Sequence, residues 1–504
     1  MCTFYSKLLQ WYNKEKQKRK RGNIVQEKTP LYTRLEEFVK NKPISFHVPG
    51  HKNGMLMQKQ AFIKNAWNYD VTELSGLDDL HSASGVILEA EMLLTELYQT
   101  KRSYFLVNGS TVGNLAMIMS TVEEGEQVLV QRNSHKSIMN GIKLAKGRPI
   151  LLNPSYDSNW KVEGTVSCET IIEAIQKYPN AKILILTSPN YYGMVGELGK
   201  IIEIAHKHSL TVLVDEAHGA HFIGSSDFPA SAVRLGADIV VQSAHKTLPA
   251  LTMGSYLHFN TNKISMNKLQ TYLGILQSSS PSYVIMASLD LARSYLGTYK
   301  EEDSAYLLAE AAKFKEMLSA LKQLEVMVYN GQTVDPLKLT IQSRCELSGF
   351  ELQKKFEEAG IYCEMADLHN VLLVLPLLKS QMEYPFEAAF EKIKNAVSLF
   401  TPRLLPAEED KGAPINLYTN IVELKLNDLE QINYAKQEIR LEDSMHMINA
   451  EPIIPYPPGI PLLMPGEEIT NLHIQKLKTL VSNGCRFQGN SSIYEDKITV
   501  FIKN

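Results

Sequence analysis

The chain has 504 residues, a formal charge of −3 at pH 7, 44% hydrophobic side chains and 21% charged ones. That is enough apolar material for a large core divided over two or three domains, and the near-neutral balance argues against a nucleic-acid or membrane-surface role for the molecule as a whole. The five cysteines (Cys2, Cys168, Cys345, Cys363 and Cys485) form no CxxC pair, which suits a reducing compartment and offers no metal site.

In chain order, residues 1–26 form a basic stretch, with Lys7, Lys14, Lys16, Lys18, Arg19, Lys20 and Arg21 against Glu15 alone. It has no apolar segment or small-residue cleavage site of a secretory signal, and no run anywhere is long enough to span a bilayer, so a soluble cytoplasmic protein is expected. A globular pattern begins near Pro30. Between residues 100 and 260 short apolar runs alternate with helical patterns: YFLV (104–107), QVLV (127–130), PILL (149–152), KILILT (182–187), TVLVD (211–215) and DIVVQ (238–242). Continuous apolar strands separated by amphipathic stretches such as 169–177 and 200–208 predict a parallel sheet covered on both faces. Residues 261–300 read as helix and 304–324 as a long amphipathic helix. Strands near 325–342, a helix at 350–359 and a strand at 370–376 predict a smaller α+β domain. The stretch IIPYPPGIPLLMPGEEI (453–469) holds too much proline for a regular helix or an inner strand. The expected division is a basic extension (1–26), a large domain with an N-terminal arm (27–300), a small α+β domain (301–400) and a C-terminal region (401–504).

Ligands of open parallel sheets sit beyond the carboxyl ends of the strands. Five strand ends carry the chemistry here: Asn108-Gly109-Ser110-Thr111, Asn133-Ser134-His135-Lys136, Ser188-Pro189-Asn190-Tyr191-Tyr192, Asp215-Glu216-Ala217-His218, and Ser243-Ala244-His245-Lys246. Gly109-Ser110-Thr111 at a helix start offers free N–H groups and hydroxyls for a phosphate, though the same residues serve as a plain N-cap. No GxxxxGK[ST] accompanies it, which disfavours a nucleoside triphosphate. Asp215 ends a buried strand and must be paired, either structurally or with a ring nitrogen that has to stay protonated. Lys246 is either an ordinary strand-end lysine or an amine held in a dry pocket, where its pKa falls and it can condense with a carbonyl. Each of His135, His218 and His245 is equally readable as a satisfied core histidine. Singly these are weak. Together, a phosphate seat, an aspartate and a lysine on successive strand ends are the three anchors of pyridoxal 5′-phosphate (PLP).

The chain resembles the Orn/Lys/Arg decarboxylase family, PLP enzymes of fold type I. The resemblance covers roughly residues 30–480 and is most specific in FHVPGHKNG (46–54), TELSGLDDLHSASG (72–85), LVNGSTVGN (106–114), NSHKS (133–137), TSPNYYG (187–193), VDEAHGAH (214–221), QSAHKTLPALT (242–252) and PYPPGIPLLMPGE (455–467). It implies an α/β, aspartate-aminotransferase-like large domain with a mainly parallel sheet, a smaller α+β C-terminal domain, and the shape of the shorter Gram-positive members without a wing domain. It implies a homodimer or higher oligomer with shared active sites, a small-molecule amino-acid substrate, and a place in polyamine biosynthesis. By the same resemblance Lys246 anchors PLP and Asp215 holds its ring nitrogen. Ala217 lets the ring lie against the strand, His218 reaches its 3′ oxygen, and His135 stacks on the outer face and can carry a proton. Ser110, Thr111, Ser243 and His245 serve the phosphate. A substrate with a distal cation needs an acid, for which Asp78, Asp79, Glu364, Asp367 and Glu467 are candidates. The expected reaction is decarboxylation of a basic L-amino acid, arginine ahead of lysine or ornithine. The competing readings are another fold type I reaction (aminotransferase, β-eliminase or oxoamine synthase) and a PLP-binding regulatory protein with little turnover. The basic tail and Met253, at a position often polar, depart from the family pattern.

Overall fold

The computed structural model describes residues 34–35, 38–57, 66–329, 333–403, 421–424, 434–456, 460–489 and 492–503. The basic stretch 1–26 lies outside the described residues. The chain divides into two units, residues 1–44 and 45–504. In the first, helical turns are described at 34–35 and 38–40. The second holds the sheets and the site.

Seven strands of the large sheet come from residues 102–259: β1 (Arg102–Leu106), β2 (Gln127–Gln131), β3 (Arg148–Leu152), β4 (Ile183–Thr187), β5 (Thr211–Asp215), β6 (Ile239–Gln242) and β7 (Ser255–Phe259). The six apolar runs read from the sequence are β1 to β6, each within two residues of its expected ends. Strands β3, β2, β4, β5 and β6 run parallel, side by side in that order, while β7 is antiparallel to both β6 and β1. Parallel strands covered on both faces should be apolar without alternation, and β5 and β6 are buried at every position. The unforeseen strand is β7. Its sequence, SYLHF, carries a serine and a histidine, yet all five residues are buried. His258 is accommodated because its ring nitrogens meet Ser103 Oγ at 2.8 Å and Gln242 Oε1 at 3.1 Å.

Helix α1 (Gly109–Thr121) follows β1 and packs against the sheet through Gly113, where a Cβ would come within 2.6 Å of Leu106 and 2.8 Å of Val241. The glycine therefore lets the helix carrying Ser110 approach β6, just beyond which Ser243 stands. The helix expected over 261–300 is two helices, α2 (Met266–Leu276) and α3 (Tyr283–Gly297). Pro281 explains the break, since proline lacks an amide donor and disfavours helical geometry in the residue before it. In the gap Gln277 turns its side chain back to the sheet, accepting from Val107 N at 2.9 Å.

Helix α4 (Glu301–Ser319) leads to an antiparallel sheet of β8 (Leu324–Val326), β9 (Lys338–Ser343), β10 (Met365–Ala366) and β11 (Asn370–Val374), ordered β8-β9-β11-β10. This is the expected small α+β body. Within 401–504, β12 (Ile421–Glu423) returns to the edge of the large sheet, antiparallel to β3. The remainder builds its own core from Leu441, Ile453, Leu463, Ile469, Leu477 and Val500, around β13 (Tyr434–Arg440), β14 (Ile448–Asn449) and β15 (Lys497–Lys503). No described helix is long and apolar enough to cross a membrane.

Candidate active site

The carboxyl ends of β2, β4, β5 and β6 open onto one cavity of about 440 Å³, lined by His135, Thr187, Asp215, Ala217, His218 and Lys246 together with Tyr191, Glu364 and Ile460. The strand-end residues converge because β2, β4, β5 and β6 are parallel neighbours, so their C-termini share a rim. Register puts Thr187 beside Asp215, and Asp215 beside Val241.

Asp215 is 2% exposed. Its Oδ1 accepts from Ala217 N at 3.1 Å and its Oδ2 from Asn114 Nδ2 at 2.9 Å. The same Asn114 amide donates to Ser137 Oγ at 2.9 Å, and that hydroxyl lies 2.8 Å from His135 Nδ1. His135 caps the helix 136–144, Nδ1 also accepting from Ser137 N. With Nδ1 an acceptor, the proton of the neutral ring belongs on Nε2. Burial pushes the His135 pKa down, which favours that neutral form. Asn114 thus links the aspartate and the histidine, a role hidden in LVNGSTVGN because the asparagine reads as an ordinary helical residue.

Lys246 lies beyond β6 with Nζ 2.9 Å from His218 Nε2. Burial lowers its pKa, against the opposing pull of Asp215 and Glu364. His218 is buried between two lysines: its other nitrogen, Nδ1, is 2.8 Å from Lys338 Nζ. Desolvation first, then the lysine charges, hold His218 well below the usual histidine range. Burial brings Lys338 down to about 8. Sequence reasoning took Lys338 only as part of a strand near 325–342.

Ser110 and Ser243 meet, the Ser243 hydroxyl donating to Ser110 Oγ at 2.7 Å, so two of the expected phosphate groups are brought together at the start of α1. Thr111, the next residue of that first turn, is exposed. The backbone of His245 meets the PGHK segment, with Gly50 N donating to its carbonyl at 2.7 Å. Its side-chain Nδ1 lies 3.0 Å from the Gly254 carbonyl, which requires the proton on Nδ1 and leaves Nε2 as a lone pair. Desolvation lowers this histidine to about 4. The expected donation to a phosphate by His245 therefore requires protonation, which a nearby phosphate dianion favours.

The five candidate acids separate cleanly. Glu364 lines the cavity, its Oε2 accepting from Val48 N at 2.9 Å and its Oε1 from Tyr191 OH at 2.8 Å. Burial would raise it, but Lys338, the Val48 amide, Tyr191 and Lys246 outweigh that and lower its pKa. The other four are engaged elsewhere in this chain. Asp78 accepts from the backbone amides of Asp79, Ser84, Gly85, Ile87 and Leu88. The slight desolvation at that carboxylate is overcome by these amides, which hold it at about 2. Asp79 caps the turn Leu80–Ser82 through His81 N at 2.9 Å. Asp367 accepts from Tyr192 OH and from the amides of His369 and Asn370, beside a neighbouring cleft of about 240 Å³. Glu467 forms a buried ion pair with Arg132 and accepts from Met464 N.

Residues 29–332 match the profile of the Orn/Lys/Arg decarboxylase major domain, and residues 423–492 that of the family's C-terminal domain. The chain belongs to the Orn/Lys/Arg decarboxylase family. It is an amino-acid decarboxylase by that membership. It is 44% identical to the uncharacterized protein YaaO of Bacillus subtilis (strain 168), over 94% of this chain and 99% of that one. To the arginine decarboxylase of the same organism it is 31% identical, over 92% and 96% of the two chains. The structure of the Escherichia coli constitutive lysine decarboxylase superposes with a TM-score of 0.67 at 19% identity, covering 94% of this chain and 82% of that one, which shows the shared fold. The PGHK lysine, Lys52, is 1% exposed and donates to the His47 and Val374 carbonyls at 2.8 Å each, tying the segment 47–52 to the end of β11.

Proposed function

We propose that the protein decarboxylates L-arginine with PLP, giving agmatine and carbon dioxide, in the cytoplasm and as a homodimer or higher oligomer. The observation that carries this reading is one cavity shared by Lys246, Asp215, His135 and Glu364. The donor set fits PLP. A small residue, Ala217, stands where a ring needs room, with the carboxylate of Asp215 and the imidazole of His135 at the same cavity. The hydroxyls of Ser110 and Ser243 wait at a helix start, where free amides and the helix dipole attract a phosphate.

Lys246 would take the cofactor's aldehyde, Asp215 its ring nitrogen, and Ser110, Thr111, Ser243 and protonated His245 its phosphate. His218 would face the 3′ oxygen. Bound PLP supplies an electron sink for the pair left behind when the α-carboxylate departs. The protein's own groups do the rest. Asp215, held in place by its two N–H donors, stabilises a proton on the partner that faces it. Lys246, as a free amine, can accept a proton and return it at Cα. His135, with its N–H on Nε2, is the second donor for that position. Glu364 seats the distal cation, having two acceptor sites left after Val48 N and Tyr191 OH are served. The tyrosine ring and Ile460 add apolar surface to the cavity wall.

Arginine is favoured over lysine and ornithine on the strength of the 31% identical arginine decarboxylase and the planar fork that a carboxylate can pair bidentately. Oligomerisation is supported by the exposed apolar side chains Val86, Met92 and Leu93 on the helix 86–98. The deciding experiment incubates the PLP-loaded protein with arginine, lysine and ornithine separately and identifies the products. Agmatine supports the proposal. A keto acid with no amine from any of the three refutes it.

A further inference from the structure

His218 touches two amines at once, and hydrogen atoms must be assigned to both contacts. Lys246 Nζ lies 2.9 Å from Nε2 and Lys338 Nζ lies 2.8 Å from Nδ1. A neutral imidazole has one N–H and one lone pair, an ammonium only donates, and a neutral amine can accept. With both lysines charged, the ring N–H would point at an ammonium N–H and that contact would be repulsive. With the ring charged, both amines would have to be neutral acceptors. Whenever both contacts are hydrogen bonds, at least one lysine is therefore a free amine, and the tautomer of His218 decides which.

The surroundings of the two are closely matched, two carboxylates facing each, and the nearer aromatic ring favours the charge on Lys338. Lys338 is 3% exposed, faces the carboxylates of Glu364 and Asp335, and has the Tyr191 ring 5.5 Å from its Nζ. Lys246 faces Asp215 and Glu364, with the Tyr191 ring farther away at 6.0 Å. The remaining titratable groups near the imidazole are His135 and His245, and the Tyr191 ring lies 4.7 Å away in a T-shaped arrangement; Lys52 also bears on this charge cluster. Glu364 bears on both lysines, whereas Asp335 bears on Lys338 and Asp215 on Lys246.

We propose that Lys338 is a positioning residue for Lys246. As an ammonium it donates to His218 Nδ1, which fixes the ring proton on Nε2, and that N–H donates to the Lys246 amine and holds it neutral, ready for a carbonyl. A lysine at the start of β9 thereby sets the charge state of the lysine just beyond β6 without touching the reacting atoms. The inference rests on Lys246 being the cofactor's anchor, but its test does not require turnover.

The test uses the full-length apoprotein. Trace acetylation at a series of pH values, read at the Lys246 peptide by mass spectrometry, gives the apparent pKa of that lysine. Four proteins form a cycle: wild type, Lys338→Met, His218→Phe and the double variant. In the wild-type background Lys338→Met should raise the Lys246 pKa by about one unit or more, which is a tenfold loss of free amine at a fixed pH below it. His218→Phe should raise it too, and adding Lys338→Met to His218→Phe should then change nothing further. Lys338→Arg keeps a cationic donor and should leave Lys246 as in wild type, which preserves a test if the methionine variant does not fold. An unchanged pKa in Lys338→Met, a rise in Lys338→Arg, or an equal rise in both backgrounds (plain charge repulsion) would overturn the proposal. Borohydride labelling of the PLP-loaded wild type is the separate control: cofactor fixed to another lysine defeats the assigned anchor, while the acetylation cycle still reports on the relay.

Discussion

Replacing Glu364 by glutamine removes a charge and almost no volume, so its effect can be reasoned from the contacts of the two carboxylate oxygens. Oε2 accepts from a backbone amide that cannot turn away, Val48 N, and Oε1 accepts from the Tyr191 hydroxyl, which can. The amide oxygen of the substituted side chain should therefore keep Val48, while its NH₂ faces a hydroxyl that rotates to accept. The two hydrogen bonds account for about one ordinary bond of folding energy, ~1 kcal/mol, to which the lost attraction for Lys338 and Lys246 adds. The loss to a cationic substrate is separate. A charge-assisted contact with a guanidinium is worth about 1.5–3 kcal/mol, which converts to roughly 10- to 150-fold in kcat/KM. A substrate with the same length and a neutral ureido head, citrulline, loses no such term. The assay compares amine release from arginine and citrulline by wild type and Glu364→Gln, with the cofactor's visible absorption recorded for both. The expected outcome is a roughly 10-fold or greater fall for arginine, little change for citrulline and an unaltered spectrum. Equal losses on both substrates would mean that Glu364 supports the site generally and does not read the distal charge. No loss on either would place the cation elsewhere.

Lys246→Ala should abolish turnover, and borohydride should fix PLP to Lys246 in the wild type; recovery of the label on any other peptide would count against the anchor. Asp215→Asn should retain PLP but lose most activity, because Asn114 can flip its amide to satisfy the new NH₂ while the charge at the ring nitrogen is gone; near-wild-type turnover would show that the ring nitrogen has another partner. Gly50→Ala should disrupt the site, since a Cβ at Gly50 would come within 2.7 Å of the backbone at Thr247 and Leu248; an alanine variant with wild-type PLP affinity would argue against this close approach. Burial lowers the pKa of Lys52 to about 7, so the folded state binds fewer protons than the unfolded state between about pH 7 and the ordinary lysine value. Stability should accordingly rise with pH in that window and fall as pH drops through 7. Denaturant titrations at pH 7, 8 and 9 should show a slope smaller in Lys52→Met than in wild type by up to about 1.4 kcal/mol per pH unit, and identical slopes would refute the buried neutral amine.

The sequence by itself determined the strands of the parallel sheet and which residues stand at their ends. Burial on both faces demands unbroken apolar runs, and chemistry has to wait until the run stops, so Asp215, His135 and Lys246 were visible as interruptions. It also showed Pro281, although not that the helix over 261–300 would break there. What it could not rank were the acids. Asp78 and Glu364 look alike as letters, yet one is enclosed by the amides of its own loop and the other crosses 316 residues of chain to meet Val48. Strand β7 escaped notice because His258 breaks the apolar pattern, and only its partners Ser103 and Gln242 make its burial tolerable. Asn114 and Lys338 were silent for the same reason. Periodicity and strand ends are local properties written in neighbouring residues, whereas a hydrogen-bond partner is chosen by how distant segments pack. The tertiary structure alone could bring a lysine from the small domain to the far side of His218.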